Sequence, residues 1–327
     1  MKTGKASESV LKRSVFKQLH TKRDEVISAV GTGLDAAVLK LDADEMTVLS
    51  TNPVMGTLEE LGEYGVLSVV SNLAAAGATP VGILLTILLP EKEDERTLKK
   101  IVAQAQEVCD RYQIQILGGH TEVTKAVNQP VLSLVAVGKA KKDSLCLSKG
   151  AKPGMDILIA NWIALEGTVI LAAEKEQELL TRYTAPFLDK TKALKKFLDI
   201  QKAAQIAAGH GVGAMKDGSR GGIFGTLWEF AEASGIGLEI DLKKIPIRQE
   251  TVEVCEFLGV NPYELHAGGC LLMAAEDGNA LVQALEREGI FATVIGKATA
   301  GNDRVLLNEE ERRFLEPAKP DELLKFI

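Results

Sequence analysis

Hydrophobic and polar positions along this chain change period repeatedly, and each change marks an element. In GEYGVLSVVSNLAAAGATP, Val66, Val69, Val70 and Leu73 recur three or four residues apart, which places them on one helix face, and Gly77 with Pro80 ends the pattern. VGILLTILLP is short and apolar throughout, a strand. In RTLKKIVAQAQEVCDRY, residues Leu98, Ile101, Val102, Ala105, Val108, Cys109 and Tyr112 share one face of an amphipathic helix. Before these comes a basic segment that predicts helix, then two β-rich runs, 36–41 and 46–50, joined as a hairpin by polar residues 42–45. IQILGG reads as a strand running into a glycine turn, GGHTEV, and VLSLVAVGKA as a further strand.

The polar, turn-rich KDSLCLSKGAKPG marks a boundary between domains of residues 1–148 and 149–327. Beyond it strands and helices alternate again: DILIAN, helices over 165–209, VGAMKD, IFGTLWEFAEAS, GLEIDL, QETVEVCEFLG, CLLMAA, NALVQALEREG and ATVIGKA. The pattern predicts an α/β (α+β) protein of two domains, which suits a length of 327 residues, too long for one ordinary core. No short-period repeat interrupts it.

Composition narrows the function classes. Hydrophobic residues at 46% and charged residues at 25% describe a globular chain. A net charge of −7, with Lys and Arg scattered, argues against nucleic acid as a partner. No apolar run approaches the roughly 20 residues of a membrane span, and the basic first 25 residues lack the apolar core of a signal peptide. The four cysteines (Cys109, Cys146, Cys255, Cys270) have no ligand spacing and read as buried thiols of a cytoplasmic protein.

Two glycine stretches carry the candidate chemistry. DGSRGG, residues 217–222, precedes an apolar helix, so the unpaired N–H groups of that helix start could meet an anion with help from Arg220. The bland alternative is that Ser219 caps the helix, Arg220 pairs with Asp217 and the glycines only turn the chain. In GGHTEV, His120, Thr121 and Glu122 offer a titratable ring, a hydroxyl and a carboxylate, although a lone histidine is more often structural. There is no Walker A loop and no GxGxxG after a strand.

The order of TGKASESVLKR, GTGLDAAV, LSTNPV, SNLAAAGATPVG, ILGGHTEV, GVGAMKDGSRGGI, KIPI and VCEFLGVNPYEL resembles the PurM-like superfamily. That group includes aminoimidazole ribonucleotide (AIR) synthetase, selenophosphate synthetase, thiamine-monophosphate kinase and the hydrogenase maturation protein HypE. The likeness is greatest with the HypE-like, AIR synthase-related branch and covers nearly the whole chain. It implies N-terminal domains pairing into a homodimeric β-barrel, a C-terminal α/β sandwich, and ATP with Mg²⁺ in the cleft between domains. By resemblance Lys5, Asp35, Asn52, Asn72, Gly118, Gly119, Thr121, Ser219, Arg220, Gly221 and Gly222 would bind nucleotide. Asp35 and Glu122 would hold a cation, and Asp217 and His120 would act in proton transfer.

The chain departs from the family's metal patterns, which resemble G-x-D-A-A, T-D-P, N-D-x-x-A-x-G-A and G-G-D-T. Asp35 survives, while Asn52, Leu73 and His120 stand at the other three carboxylate positions, which implies a degenerate Mg²⁺–ATP site. HypE carries its substrate on a C-terminal cysteine, and here the last thiol is Cys270, so dehydration on its own tail is not expected. Cys109, the first thiol, falls on a buried helix face, which disfavours selenophosphate synthesis. Two readings follow. One is a nucleotide- or phosphate-binding homodimer without efficient turnover, serving alone or beside another maturation or biosynthetic protein. The other is an active ATP-dependent phosphotransferase or dehydratase acting on a small molecule.

Overall fold

Each half of the sequence builds its own sheet. The computed structural model describes residues 4–6, 8–28, 37–55 and 59–326, and it divides into one unit of Met1–Leu73 with Ala78–Asp143 and a second of Ala74–Gly77 with Ser144–Ile327.

The described elements of unit 1 are, by chain order within each type, strands β1 (Gly4–Lys5), β2 (Val26–Ser28), β3 (Val38–Leu39), β4 (Glu45–Met55), β5 (Thr79–Leu89), β6 (Gln115–Val123) and β7 (Val131–Lys141), with helices α1 (Glu8–Ser14), α2 (Leu61–Ala75) and α3 (Glu95–Arg111). Five strands form a mixed sheet in the order β1-β6-β5-β7-β4, in which only β5 and β6 run parallel. Alternate residues of β5 (Val81, Ile83, Leu85, Ile87, Leu89) are buried, as are Leu132 and Leu134 of β7 and Val66, Val69, Val70 and Leu73 of α2. These residues meet in one core, as the two periods, 2 and 3.6, dictate. Asp94 caps α3 by accepting from the N–H groups of Arg96 (2.8 Å) and Thr97 (3.2 Å).

Two expectations fail here. The runs at 36–41 and 46–50 contain strands but no hairpin: β3 pairs with β2, while β4 pairs with β7 along its whole length. A longer partner with matching alternation wins over the local turn. GGHTEV is also not a turn, because β6 continues through it to Val123 beside β5. The glycines serve a close approach instead. Gly119 has φ +152°, and a Cβ there would lie 1.9 Å from the Leu85 carbonyl oxygen, next to a register shift between Ile83 and Leu84.

Unit 2 continues with strands β8 (Asp156–Ala160), β9 (Ala214–Asp217), β10 (Gly237–Asp241), β11 (Leu271–Ala275), β12 (Ala292–Thr299), β13 (Arg304–Asn308) and β14 (Glu311–Phe314). Its helices are α4 (Leu165–Glu174), α5 (Glu176–Leu179), α6 (Ala185–Lys192), α7 (Gln201–Gly209), α8 (Gly222–Ser234), α9 (Gln249–Leu258) and α10 (Gly278–Arg287). The seven strands order as β14-β13-β10-β12-β8-β11-β9, with only β10 and β13 parallel. Ala203, Ala204 and Ala207 of α7 and Leu281 and Leu285 of α10 pack with Leu158, Met215, Leu271 and Met273 in one core layer. The sequence pattern missed β13 and β14, since β14 (ERRF) is exposed throughout and shows no alternation. All four cysteines are buried and free, as expected. Among the described residues no helix is long and apolar enough to cross a membrane.

Candidate functional site

In unit 1 the sheet decides which side chains meet. His120 pairs with Thr86, and Thr86 with Ser133, all on the face that α2 leaves open. His120 and Glu122, two residues apart on β6, point the same way, and His120 Nε2 lies 3.0 Å from Glu122 Oε2 with both side chains about 40% exposed. Thr121 faces the core and is buried. Lys5 pairs its backbone with Glu122 at the sheet edge.

The other family positions lie elsewhere. Asn52 pairs with buried Leu134, and Ser50 with buried Ala136, so both belong to the helix-covered face. There Asn72 Nδ2 donates to Ser50 Oγ (2.9 Å). Leu73 is fully buried, and a Cβ at Gly138 would lie 3.0 Å from its Cδ1. This corrects the motif register. Counted back from Gly77 and Ala78 in N-D-x-x-A-x-G-A, the carboxylate position falls on Asn72, with Leu73 as its core neighbour. Asn52, Asn72 and His120 then stand where the pattern given by the resemblance has carboxylates. They fall on opposite faces of the sheet. Asp35 lies outside the described residues, which contain no group of three metal-ligating His, Cys, Asp or Glu side chains. Of the two residues that the resemblance gives to a cation, Glu122 is the described one, with its carboxylate 3.0 Å from His120.

In unit 2, DGSRGG is a turn. Gly221 (φ +82°) and Gly222 (φ +67°) are both left-handed, and a Cβ at Gly222 would lie 2.4 Å from the Tyr263 carbonyl oxygen. Ser219 does not cap α8; its carbonyl oxygen accepts from Gly222 (3.2 Å) and Ala267 (3.1 Å). The group at this helix start is a carboxylate of the chain itself. Asp321 accepts from the N–H groups of Gly221 (2.8 Å), His266 (3.1 Å) and Leu323 (2.9 Å). Its carboxylate also lies 3.5 Å from His266 Nδ1, while Glu166 stands 3.5 Å from Nε2 on the other side of the ring. Burial opposes charge on His266, but Glu166 and Asp321 outweigh it and push its pKa up to about 10. Asp321 is held below the usual carboxylate range: burial works against this, and the hydrogen bond and charge of His266 overcome it.

Asp217, at the end of β9, behaves oppositely. Burial first, and then the nearby charge of Glu166, drive its carboxyl well above the ordinary value, and its Oδ1 has no partner. Burial that disfavours the charged carboxylate does not suit a resting general base. Cys270 beside it is buried, and desolvation first, then Asp217, raise its thiol pKa, so it is a poor nucleophile. Arg220 is exposed. Sequence reasoning missed Glu166, His266 and Asp321, because Asp321 is 100 residues from Gly221 and 55 from His266.

The comparisons decide the lineage. The model for the AIR synthase related protein N-terminal domain matches residues 33–140, and that for the C-terminal domain matches 152–308. The chain belongs to the AIR synthase-related family. Within it, the carbamoyl dehydratase HypE of Rhodobacter capsulatus is 31% identical over 248 residues, 74% of this chain and 70% of that one. A Methanocaldococcus jannaschii protein, provisionally named for hydrogenase expression/formation, is 26% identical over 318 residues, 93% of this chain and 91% of that one. A solved HypE structure in complex with ATP superposes with a TM-score of 0.80 at 20% identity, covering 98% of this chain and 97% of the other. This last likeness establishes the two-domain PurM-like fold with two mixed sheets.

Proposed function

We propose that this HypE-like, AIR synthase-related chain binds ATP or another phosphate-bearing ligand as a homodimer, without efficient Mg²⁺-dependent turnover. The observation that carries the reading is the set Asn52, Asn72 and His120, none of them a carboxylate, at positions where the family pattern has carboxylates. Two asparagine oxygens and an imidazole can hydrogen-bond a ligand, but they supply no charge to hold a hard cation against phosphate repulsion. ATP is the first ligand to test because a HypE of the same fold was solved with it.

The dimer reading rests on the open face of the unit 1 sheet. Leu49 (65% exposed) and Leu84 (37%) lie there with half-buried Val135 and Val137, an apolar surface that a second copy of the sheet would cover. His120 and Glu122 would then sit within the dimer. The second reading, an active phosphotransferase, is favoured by that pair, since Glu122 at 3.0 Å can orient His120 for proton transfer.

The test is the melting temperature with ATP, ADP, AMP and phosphate, each with and without Mg²⁺ or Mn²⁺. A ligand at a hundred times its dissociation constant stabilises by about 2.7 kcal/mol. The proposal expects an ATP shift that is the same with and without metal, and no ADP released. A shift that requires metal, with ATP consumed, would establish the enzyme reading instead.

A further inference from the structure

Unit 2 contains a cavity of about 390 Å³, a size typical of small-molecule sites, which shares Gly221 with the DGSRGG turn. One wall is the start of α8, with Phe224 and the bare backbone of Gly225; Asn261, Glu264 and Arg313 line the rest, and residues 315–319 close it. Phe224 is a rigid wall. Its ring stacks on Tyr263 with centroids 4.9 Å apart and planes 9° from parallel, and the Arg313 guanidinium carbon lies 5.8 Å from its centroid.

The hydrogen-bonding balance inside this cavity is one-sided. Glu264 and Glu316 are both met by Lys319, at 3.4 and 2.8 Å. Asn261 Oδ1 is used by the Tyr263 N–H (3.1 Å), whereas its Nδ2 has no partner among the described residues. Arg313 makes no side-chain hydrogen bond and no close ion pair among them, although its charge is felt by Glu316. The unspent groups are thus all donors, a guanidinium and a carboxamide, placed beside an aromatic face. A complementary ligand carries acceptor oxygens, preferably charged, on a flat apolar body.

We propose that this cavity binds a small aromatic carboxylate, its ring against Phe224 and its carboxylate on Arg313 and Asn261. The two acids and two bases of the lining cancel, so long-range attraction contributes little, and affinity depends on contact with Arg313.

Benzoate tests this, with benzamide as its uncharged counterpart, by titration into ¹⁵N-labelled full-length protein while following the Gly221 and Gly225 amides. Benzoate should give saturable shifts in the millimolar range, and benzamide should bind at least about tenfold more weakly. Arg313→Gln, on an exposed strand, should keep the melting temperature and lose the benzoate shifts; Phe224→Leu should weaken them. Unsaturable benzoate shifts, equal binding of benzamide, or undiminished binding by a folded Arg313→Gln variant would each overturn the proposal.

Discussion

Two glycine-containing stretches of similar appearance end in opposite states. GGHTEV in unit 1 is a paired strand that displays a histidine and a carboxylate on an open sheet face, each about 40% exposed. DGSRGG in unit 2 is a turn whose helix-start N–H is already taken by Asp321, beside a charged His266 and a buried Asp217 whose carboxyl is pushed above its ordinary range. The difference shows that glycines set only the backbone path. Whether the position is available to a ligand depends on what distant residues bring to it.

The largest effect that would break this comparison lies in unit 2. Asp321→Ala leaves three N–H groups without their acceptor and His266 with one counter-charge, and should cost about 3–5 kcal/mol in urea unfolding. A cost under about 1 kcal/mol would mean that the helix start is not closed by this carboxylate.

Next comes pH. His266, raised from 6.5 to about 10, contributes stability that is fully present below its ordinary pKa and is lost as pH climbs through about 10. Melting temperature should therefore fall from pH 7 to pH 10, and His266→Gln should flatten that slope by roughly 1–3 kcal/mol. Asp217 acts in the same direction, since its raised pKa means the folded state holds a proton that the unfolded state has released. Asp217→Asn should accordingly stabilise by about 1–2 kcal/mol at pH 8 and by less at pH 4. Loss of stability at both pH values would show an ionised, partnered Asp217.

The smallest effects belong to unit 1. Glu122→Gln and His120→Ala should each change stability by less than about 1 kcal/mol, because an exposed pair is screened by water. A larger loss would assign the pair a structural role and remove the contrast.

The fold was legible wherever one period dominated. α2, α3 and α10 follow from apolar spacing, and β5 from its length and composition. β14 escaped because every one of its residues is exposed, and the hairpin at 36–50 was misread because the residues that pair with β4 lie 76 to 96 positions away. The candidate site was legible as motif and opaque as geometry. Motif spacing counted back from Gly77 and Ala78 falls on Asn72, and the burial of Leu73 in the core agrees with it. No local pattern could reveal Glu166, His266 and Asp321, whose association depends on the completed unit 2.

That dependence on residue 321 has a kinetic side. During translation, α8 emerges long before the carboxylate that closes its start, with 100 residues still to be added after Gly221. At elongation rates of about 5–20 residues per second, the interval lasts roughly 5–20 s. Any first turn of α8 that forms in that interval presents an open N–H and a positive helix pole to the surroundings of the nascent chain.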